Sequence, residues 1–265
     1  MALPCYEVYA IKYAERDGRR VESFMGGDPH DAPMPTNYFV WLIRDSQRLF
    51  LVDTGFDAAL AAKRKRTLIR EPHEGLALLG VKVEDVKQVI ITHLHNDHVG
   101  TFFDFPNAQF HIQDEEMAYA TGRYMCNGAL RRAYEVDHIV GVVKLVFGNR
   151  VVFHKGDEEL APGIHLHHIG GHTAGLQSVR VHTKRGWVVL ASDASHFYEN
   201  FEKRRPHPTH FHVGQLIDGF ETLFRLADSP KHIIPGHDPL VMQRYPPPSP
   251  ELEGAIVMLD VNPSE

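Results

Sequence analysis

The stretch THLHNDHVG at 92–100 places His93, His95, Asp97 and His98 within six residues, directly behind the apolar run VKQVII. In an extended segment alternate side chains share a face, so His93 and His95 point one way while Leu94 points into the interior. A turn after Asn96 sends Asp97 and His98 toward a second position nearby. A catalytic metal takes about three protein ligands and keeps one position open for water. One loop therefore cannot complete two such sites, and the missing donors have to come from elsewhere in the chain.

They are present at the ends of other β-type runs. GGHTAG (170–175) supplies His172, SDAS (192–195) supplies Asp193 and IPGHD (234–238) supplies His237. The donors fall into two sets: His93, His95 and His172 for one metal, and Asp97, His98 and His237 for the other, with Asp193 placed to bridge them. The segments also match in pairs. RLFLVDTG (48–55) and WVVLASDA (187–194) are apolar strands that end in an aspartate, and KQVIITHLH (87–95) and KHIIPGHD (231–238) are apolar strands that deliver histidines. This predicts two related β-rich halves, packed sheet on sheet, with their strand ends meeting at one edge. Asp53, in DTG, is read as an acceptor that steadies the histidine loop, with capping of the following helix as its alternative.

Composition narrows the function classes. The chain has 265 residues, 43% apolar and 23% charged, with a formal net charge of -6, so it carries no general attraction to nucleic acid or anionic membrane. Its 19 histidines exceed what packing needs, while two cysteines, Cys5 and Cys126, give neither a disulfide scaffold nor a thiolate cage. The N-terminal stretch lacks the apolar centre of a secretory signal and no stretch reaches membrane-span length. The expectation is one cytoplasmic domain over 1–265, with a small-molecule substrate, no nucleic-acid or membrane partner, and a homodimer as a candidate assembly.

HLHNDH fits the HxHxDH signature of the metallo-β-lactamase superfamily, and DTG, GGHT, SDAS and PGHD follow that pattern in order, so the chain resembles this superfamily from Asp53 to Asp238. The resemblance implies an α/β (α+β) fold, an αββα sandwich of two mixed β-sheets flanked by helices, with a dinuclear site. The absence of a cysteine ligand sets the chain apart from the antibiotic-hydrolysing branches. It looks most like the N-acyl homoserine lactonases, which implies a hydrolase that opens a lactone ring with a metal-bridging hydroxide. Two divalent ions are implied, zinc first, although His and Asp ligands suit Mn, Fe or Co equally. Three residues after the bridging aspartate that group carries a tyrosine; here the position is His196, with Tyr198 two further on. His196 or Tyr198 is expected to donate to the developing oxyanion, and Asp97 to move the proton to the leaving alkoxide. The alternatives are a pyridoxolactonase-like, cyclic-amide or glyoxalase II-like hydrolase, an iron-dependent oxidoreductase on the same fold, and a binding module without turnover.

Other features carry weaker expectations. MGGDPHDAPMPTNY (25–38) reads as a substrate-covering loop or an ordinary connection, and Lys203, Arg204 and Arg205 as a solvated charge run. His207, His210 and His212 read as pocket rim or surface. FDAALAAKRKRTL (56–68) reads as a helix, as does DEEMAYATGR (114–123) with Asp114 as its cap, and the Pro-rich 244–251 stretch as a tail.

Overall fold

The computed structural model describes residues 3–264, so the ends of the expected 1–265 domain, Met1, Ala2 and Glu265, lie outside the described residues. The strands are β1 (Glu7–Arg16), β2 (Thr36–Arg44), β3 (Leu49–Val52), β4 (Thr67–Leu68), β5 (Gln88–Ile90), β6 (Gln109–Gln113), β7 (Val151–His154), β8 (Glu158–Ala161), β9 (Ile164–His168), β10 (Gln177–Thr183), β11 (Gly186–Ser192), β12 (Ile233–Pro235) and β13 (Ile256–Met258). One sheet runs β13-β1-β2-β3-β5-β6-β7, with β4 against β1; the other runs β12-β11-β10-β9-β8. Both are mixed. β3, β5, β6 and β7 are parallel to one another, as are β11 and β12, and the remaining pairs are antiparallel.

The period-two pattern of β2 explains the layering. Phe39, Trp41 and Ile43 join Val179, Val181 and Val188 of the second sheet in one buried cluster. Tyr38, Val40 and Leu42, on the opposite face, join Leu76, Val99 and Ile139 in another. A strand apolar on both faces is one covered on both. The outer side of the second sheet is covered by the Val213–Leu226 helix, whose Leu216, Phe220 and Leu223 lie one or two turns apart and join the first cluster. Among the described residues no helix is long and apolar enough to cross a membrane. The two mixed sheets with flanking helices are the αββα arrangement expected.

Several local readings need correction. The 56–68 helix covers only Ala58–Arg64: Lys65 turns left-handed at φ 55° and closes it, and Thr67–Leu68 pairs with β1 instead. Its cap is Asp57, whose carboxylate accepts from the Leu60 amide, so Asp53 is not a helix cap. The Asp114–Ala120 helix has Gln113 at its cap position and Asp114 inside it. After the Pro-rich stretch the chain returns to the sheet as β13, antiparallel to β1, because Ile256 and Val257 have both faces to bury.

Strands β5, β6, β7 and β8 share a polar chain, buried at His111 and His154 and open at Glu158. His111 Nδ1 lies 2.9 Å from His154 Nε2, His154 Nδ1 lies 2.6 Å from Glu158 Oε2, and His111 Nε2 lies 2.6 Å from Gln88 Oε1. Burial, and then repulsion from His154, push the His111 imidazole down to about 4. A histidine depressed in the folded state contributes stability above its unfolded pKa of 6.5 and loses it as pH falls toward 4, where only the unfolded chain readily takes the proton. At about 1.4 kcal/mol per unit, the loss from this group is at most about 3.5 kcal/mol. The slope of the urea midpoint between pH 6.5 and 4 is expected to flatten in His111→Gln, and an unchanged slope would remove His111 as its source.

Candidate metal centre

Parallel strands bring their carboxyl ends to one side, and the expected donors sit there. Val52 of β3 leads into Asp53, Ile90 of β5 into the 92–98 loop, Ser192 of β11 into Asp193, and Pro235 of β12 into His237. Two of these exits are left-handed, Asp53 at φ 61° and Ser192 at φ 49°, a conformation that costs energy in non-glycine residues and is kept where surrounding contacts impose it. At the Ser192 exit its hydroxyl donates to Thr92 Oγ1 at 2.9 Å, fastening the ends of the two sheets together.

The donors of the first set converge. His93 Nε2 and His172 Nε2 approach His95 Nδ1 at 3.0 and 2.9 Å, close to the edge of about 3.3 Å expected between ligand atoms of a tetrahedral zinc. In the second set, His98 Nε2 and His237 Nε2 stand 3.9 Å from Asp97 Oδ1 and Oδ2 respectively. Asp193 divides between them. Its Oδ2 lies 3.8 Å from His93 Nε2 and 3.2 Å from His172 Nε2, while its Oδ1 lies 3.4 Å from His98 Nε2 and 3.0 Å from His237 Nε2.

The donor set fits divalent metal. His98 Nε2 and Asp193 Oδ1 are fully buried without a hydrogen-bond partner, and both belong to the gap between the sets. Burial first, and then neighbouring imidazoles, hold His93 and His95 well below the usual histidine range, which keeps them neutral as metal ligands must be. Burial pushes Asp193 up, but His237, His196, His98 and His172 outweigh it and leave a carboxylate well below its usual range. Two divalent ions suit this arrangement, one to each set.

The remote nitrogens are aimed by fixed acceptors, which sets each ring. His172 Nδ1 donates to Thr209 O at 2.7 Å, His237 Nδ1 to Asn37 O at 2.9 Å, and His98 Nδ1 to Asp53 Oδ2 at 2.7 Å. Asp53 also accepts from the Thr92 amide and hydroxyl at 2.7 and 2.8 Å, so this buried carboxylate organises the loop as expected of it. Asp53→Ala is expected to weaken metal binding about 10- to 100-fold. Competition with a chromogenic zinc chelator measures this, and wild-type affinity would leave Asp53 a folding role only.

The expected oxyanion donors part company. His196 lines the cleft, but its Nε2 is 2.9 Å from Asp193 Oδ2 and its ring is stacked 3.6 Å from that of His207. Tyr198 is not at the centre: it is 3% exposed, belongs to the inter-sheet cluster, and has Arg244 4.0 Å over its ring, because the turn after Asp193 directs it away from the cleft. His207, expected at the rim or surface, is fully buried, its Nε2 on Asp193 O at 3.0 Å. His212 caps the Val213–Leu226 helix by accepting from the Gln215 amide. Arg204 and Arg205 are ion-paired rather than simply solvated, Arg205 with Asp28 and Glu199, and the first of these acids anchors the 25–38 loop.

Two residues that matter here carried no signal in the sequence. Glu116, completely buried, accepts from the Leu94 amide (2.9 Å), Tyr134 hydroxyl (3.1 Å), Thr173 hydroxyl (2.6 Å) and Gly175 amide (3.1 Å), tying the loop of His93 and His95 to that of His172. Tyr38 lines the cleft with its ring centre 5.1 Å from that of His237, edge to face.

The chain is similar to known proteins in sequence and in fold. The chain is 29% identical to an N-acyl homoserine lactonase of Bacillus cereus over 187 residues, 64% of this chain and 69% of that one. It is 31% identical to the N-acyl homoserine lactonase AiiB of Agrobacterium fabrum over 131 residues, 48% of this chain and 47% of the other, so that match spans about half of the relative's length. The solved structure of a quorum-quenching N-acyl homoserine lactone lactonase superposes with a TM-score of 0.74 over 91% of this chain and 94% of its own, at 24% identity, a likeness of fold. The family model described as the metallo-beta-lactamase superfamily matches residues 34–237, a span that opens ahead of β2 and closes on His237. Since that span takes in both donor sets and the aspartate between them, the chain belongs to the metallo-beta-lactamase superfamily.

Proposed function

We propose that the protein is a hydrolase with two divalent metals that opens a lactone or ester, in the manner of the N-acyl homoserine lactonases it resembles. The observation that carries this reading is Asp193, whose two oxygens face different donor sets. His93, His95 and His172 would hold one ion, Asp97, His98 and His237 would hold the other, and Asp193 would reach both. When bound, such a pair supplies Lewis acidity and a water activated near neutral pH. A redox role or a binding module finds no separate support in the geometry.

The chain's own groups then have distinct tasks. Asp97 is the more open of the two central carboxylates, with its side chain 18% exposed against 4% for Asp193, so it is the one able to take a proton from the cleft and return it to the leaving alkoxide. Tyr13 holds it in place by donating to the Asp97 carbonyl at 2.8 Å. His196 Nε2 is engaged with Asp193, which makes it a positioning residue for that carboxylate. Tyr38 is the better oxyanion donor. Burial first, and then the charge of Asp97, push its phenol up, so it keeps its proton at neutral pH.

The test is the zinc-loaded chain against lactones, esters, a thioester and a cyclic amide, with acid release followed by indicator. Opening of a lactone or ester with about two equivalents of metal is expected; turnover of the thioester or amide alone would replace the substrate class. In Tyr38→Phe, kcat is expected to fall about 100-fold with metal content unchanged. A loss confined to KM would make Tyr38 a wall of the cleft.

A further inference from the structure

We propose that the substrate carries an anionic group, a carboxylate or a phosphate, held by Arg16, Arg66 and Arg132 while its ester or lactone carbonyl faces the two donor sets. The inference rests on the hydrolase reading above and names the kind of molecule that reading leaves open.

The cleft over the donors has a volume of about 540 Å³, and four arginines line it: Arg16, Arg64, Arg66 and Arg132. Arg64 is occupied, its Nε and Nη2 at 3.0 and 2.6 Å from Glu135 Oε1. The others are not. Arg16 Nε reaches only Thr36 Oγ1 at 3.4 Å, Arg66 lies 5.5 Å over the Tyr38 ring, and among the described residues none of Arg16, Arg66 and Arg132 has a carboxylate within ion-pair distance. By contrast, Arg20 and Arg205 are each held by both Asp28 and Glu199.

The cations come from three separate places: the end of β1, the turn before β4, and the segment after the Asp114–Ala120 helix. They converge on one cleft in a chain whose net charge is -6. Glu22 is the one acid lining the cleft besides Asp97 and Asp193, and two divalent ions outweigh those two carboxylates. A site of this sign concentrates anions and steers them inward, and planar guanidinium groups bind carboxylate and phosphate oxygens in pairs.

The wall also lacks what a long neutral acyl chain requires. Ala133, Phe197 and the Tyr38 ring are its only apolar surfaces. Two apolar hollows adjoin the cleft: one of about 640 Å³, bordered by Met125, Tyr134 and Ile139, shares Arg132 with it, so a tail reaching that hollow runs beside the guanidinium, and one of about 390 Å³, bordered by Met34, Pro35 and Leu240, shares Phe197.

The experiment compares γ-butyrolactone carboxylate with its carboxamide on the zinc-loaded full chain. The carboxylate is expected to be opened with at least about tenfold higher kcat/KM, and the advantage to shrink as salt rises from about 0.05 to 0.5 M. In Arg66→Gln and Arg132→Gln the ratio between the two lactones is expected to fall toward one. Equal rates in the wild-type chain, or rates that climb with the length of a neutral acyl chain, would overturn the proposal. Binding of glutarate against butyrate, followed by calorimetry, provides a readout without turnover: the dicarboxylate is expected to bind at least about tenfold tighter, and equal affinities count against the arginines. If neither lactone is opened while glutarate is preferred, the lactone reading falls and the anion site remains.

Discussion

Asp193→Ala is expected to lower the metal content from about two equivalents to one or fewer and kcat by about a thousandfold or more, the scale of several kcal/mol that metal ions contribute. The side chain is 4% exposed, and its two oxygens lie within 3.8 Å of histidines from both donor sets. Without it, the second set keeps Asp97 as its one carboxylate donor, with Asp53 engaged on the far nitrogen of His98. Asp193→Asn sharpens the test. The amide keeps the shape, but its nitrogen must face one of the two sets, so one metal is expected to be lost. Elemental analysis alongside turnover measures this, and an Asn variant that retains two equivalents and normal turnover would show that the carboxylate does not bridge.

The second large effect is structural. Glu116→Ala is expected to cost about 3–5 kcal/mol, because the Leu94 and Gly175 amides and the Thr173 and Tyr134 hydroxyls lose a buried acceptor together. Burial pushes the carboxyl up while its four donors pull it back, so the site is built around an acceptor rather than an ion pair. Chemical denaturation measures the loss. The same contact explains Gly175: a Cβ there would meet the backbone nitrogen and Cα of Glu116, so Gly175→Ala is expected to disturb the same loops. If Glu116→Ala were as stable as wild type, the two histidine loops would be positioned by something other than this carboxylate.

The candidate donors were legible where a short apolar run ends in His or Asp, as before His93, Asp193 and His237, since such a run has few places to put them except a strand end; His172 follows the mixed strand Ile164–His168 and was legible from its GGHT turn. RLFLVDTG and WVVLASDA each turn left-handed at the strand exit, at Asp53 itself in the first and at Ser192, one residue ahead of Asp193, in the second. What stayed hidden depends on contacts far apart in the chain. Glu116 sits in a helix among other acids, DEEMAYA, and only its burial against residues 94 and 173–175 distinguishes it. Tyr198 is displaced by the turn that follows Asp193, which local pattern does not encode. The cleft arginines come from three segments that look like ordinary surface charge when read one at a time.

Each donor set draws from both layers of the sandwich. His93, His95, Asp97 and His98 follow a strand of the first sheet, whereas His172, Asp193 and His237 lie on loops of the second. The layers therefore cannot slide across one another without changing both coordination shells. Sheet registration and metal affinity form one linked equilibrium, in which whatever strengthens either strengthens the other by the same free energy. A repacking mutation at Trp41, buried between the sheets, is thereby read out as a change in zinc affinity, and the bound ions report on an interface they never touch.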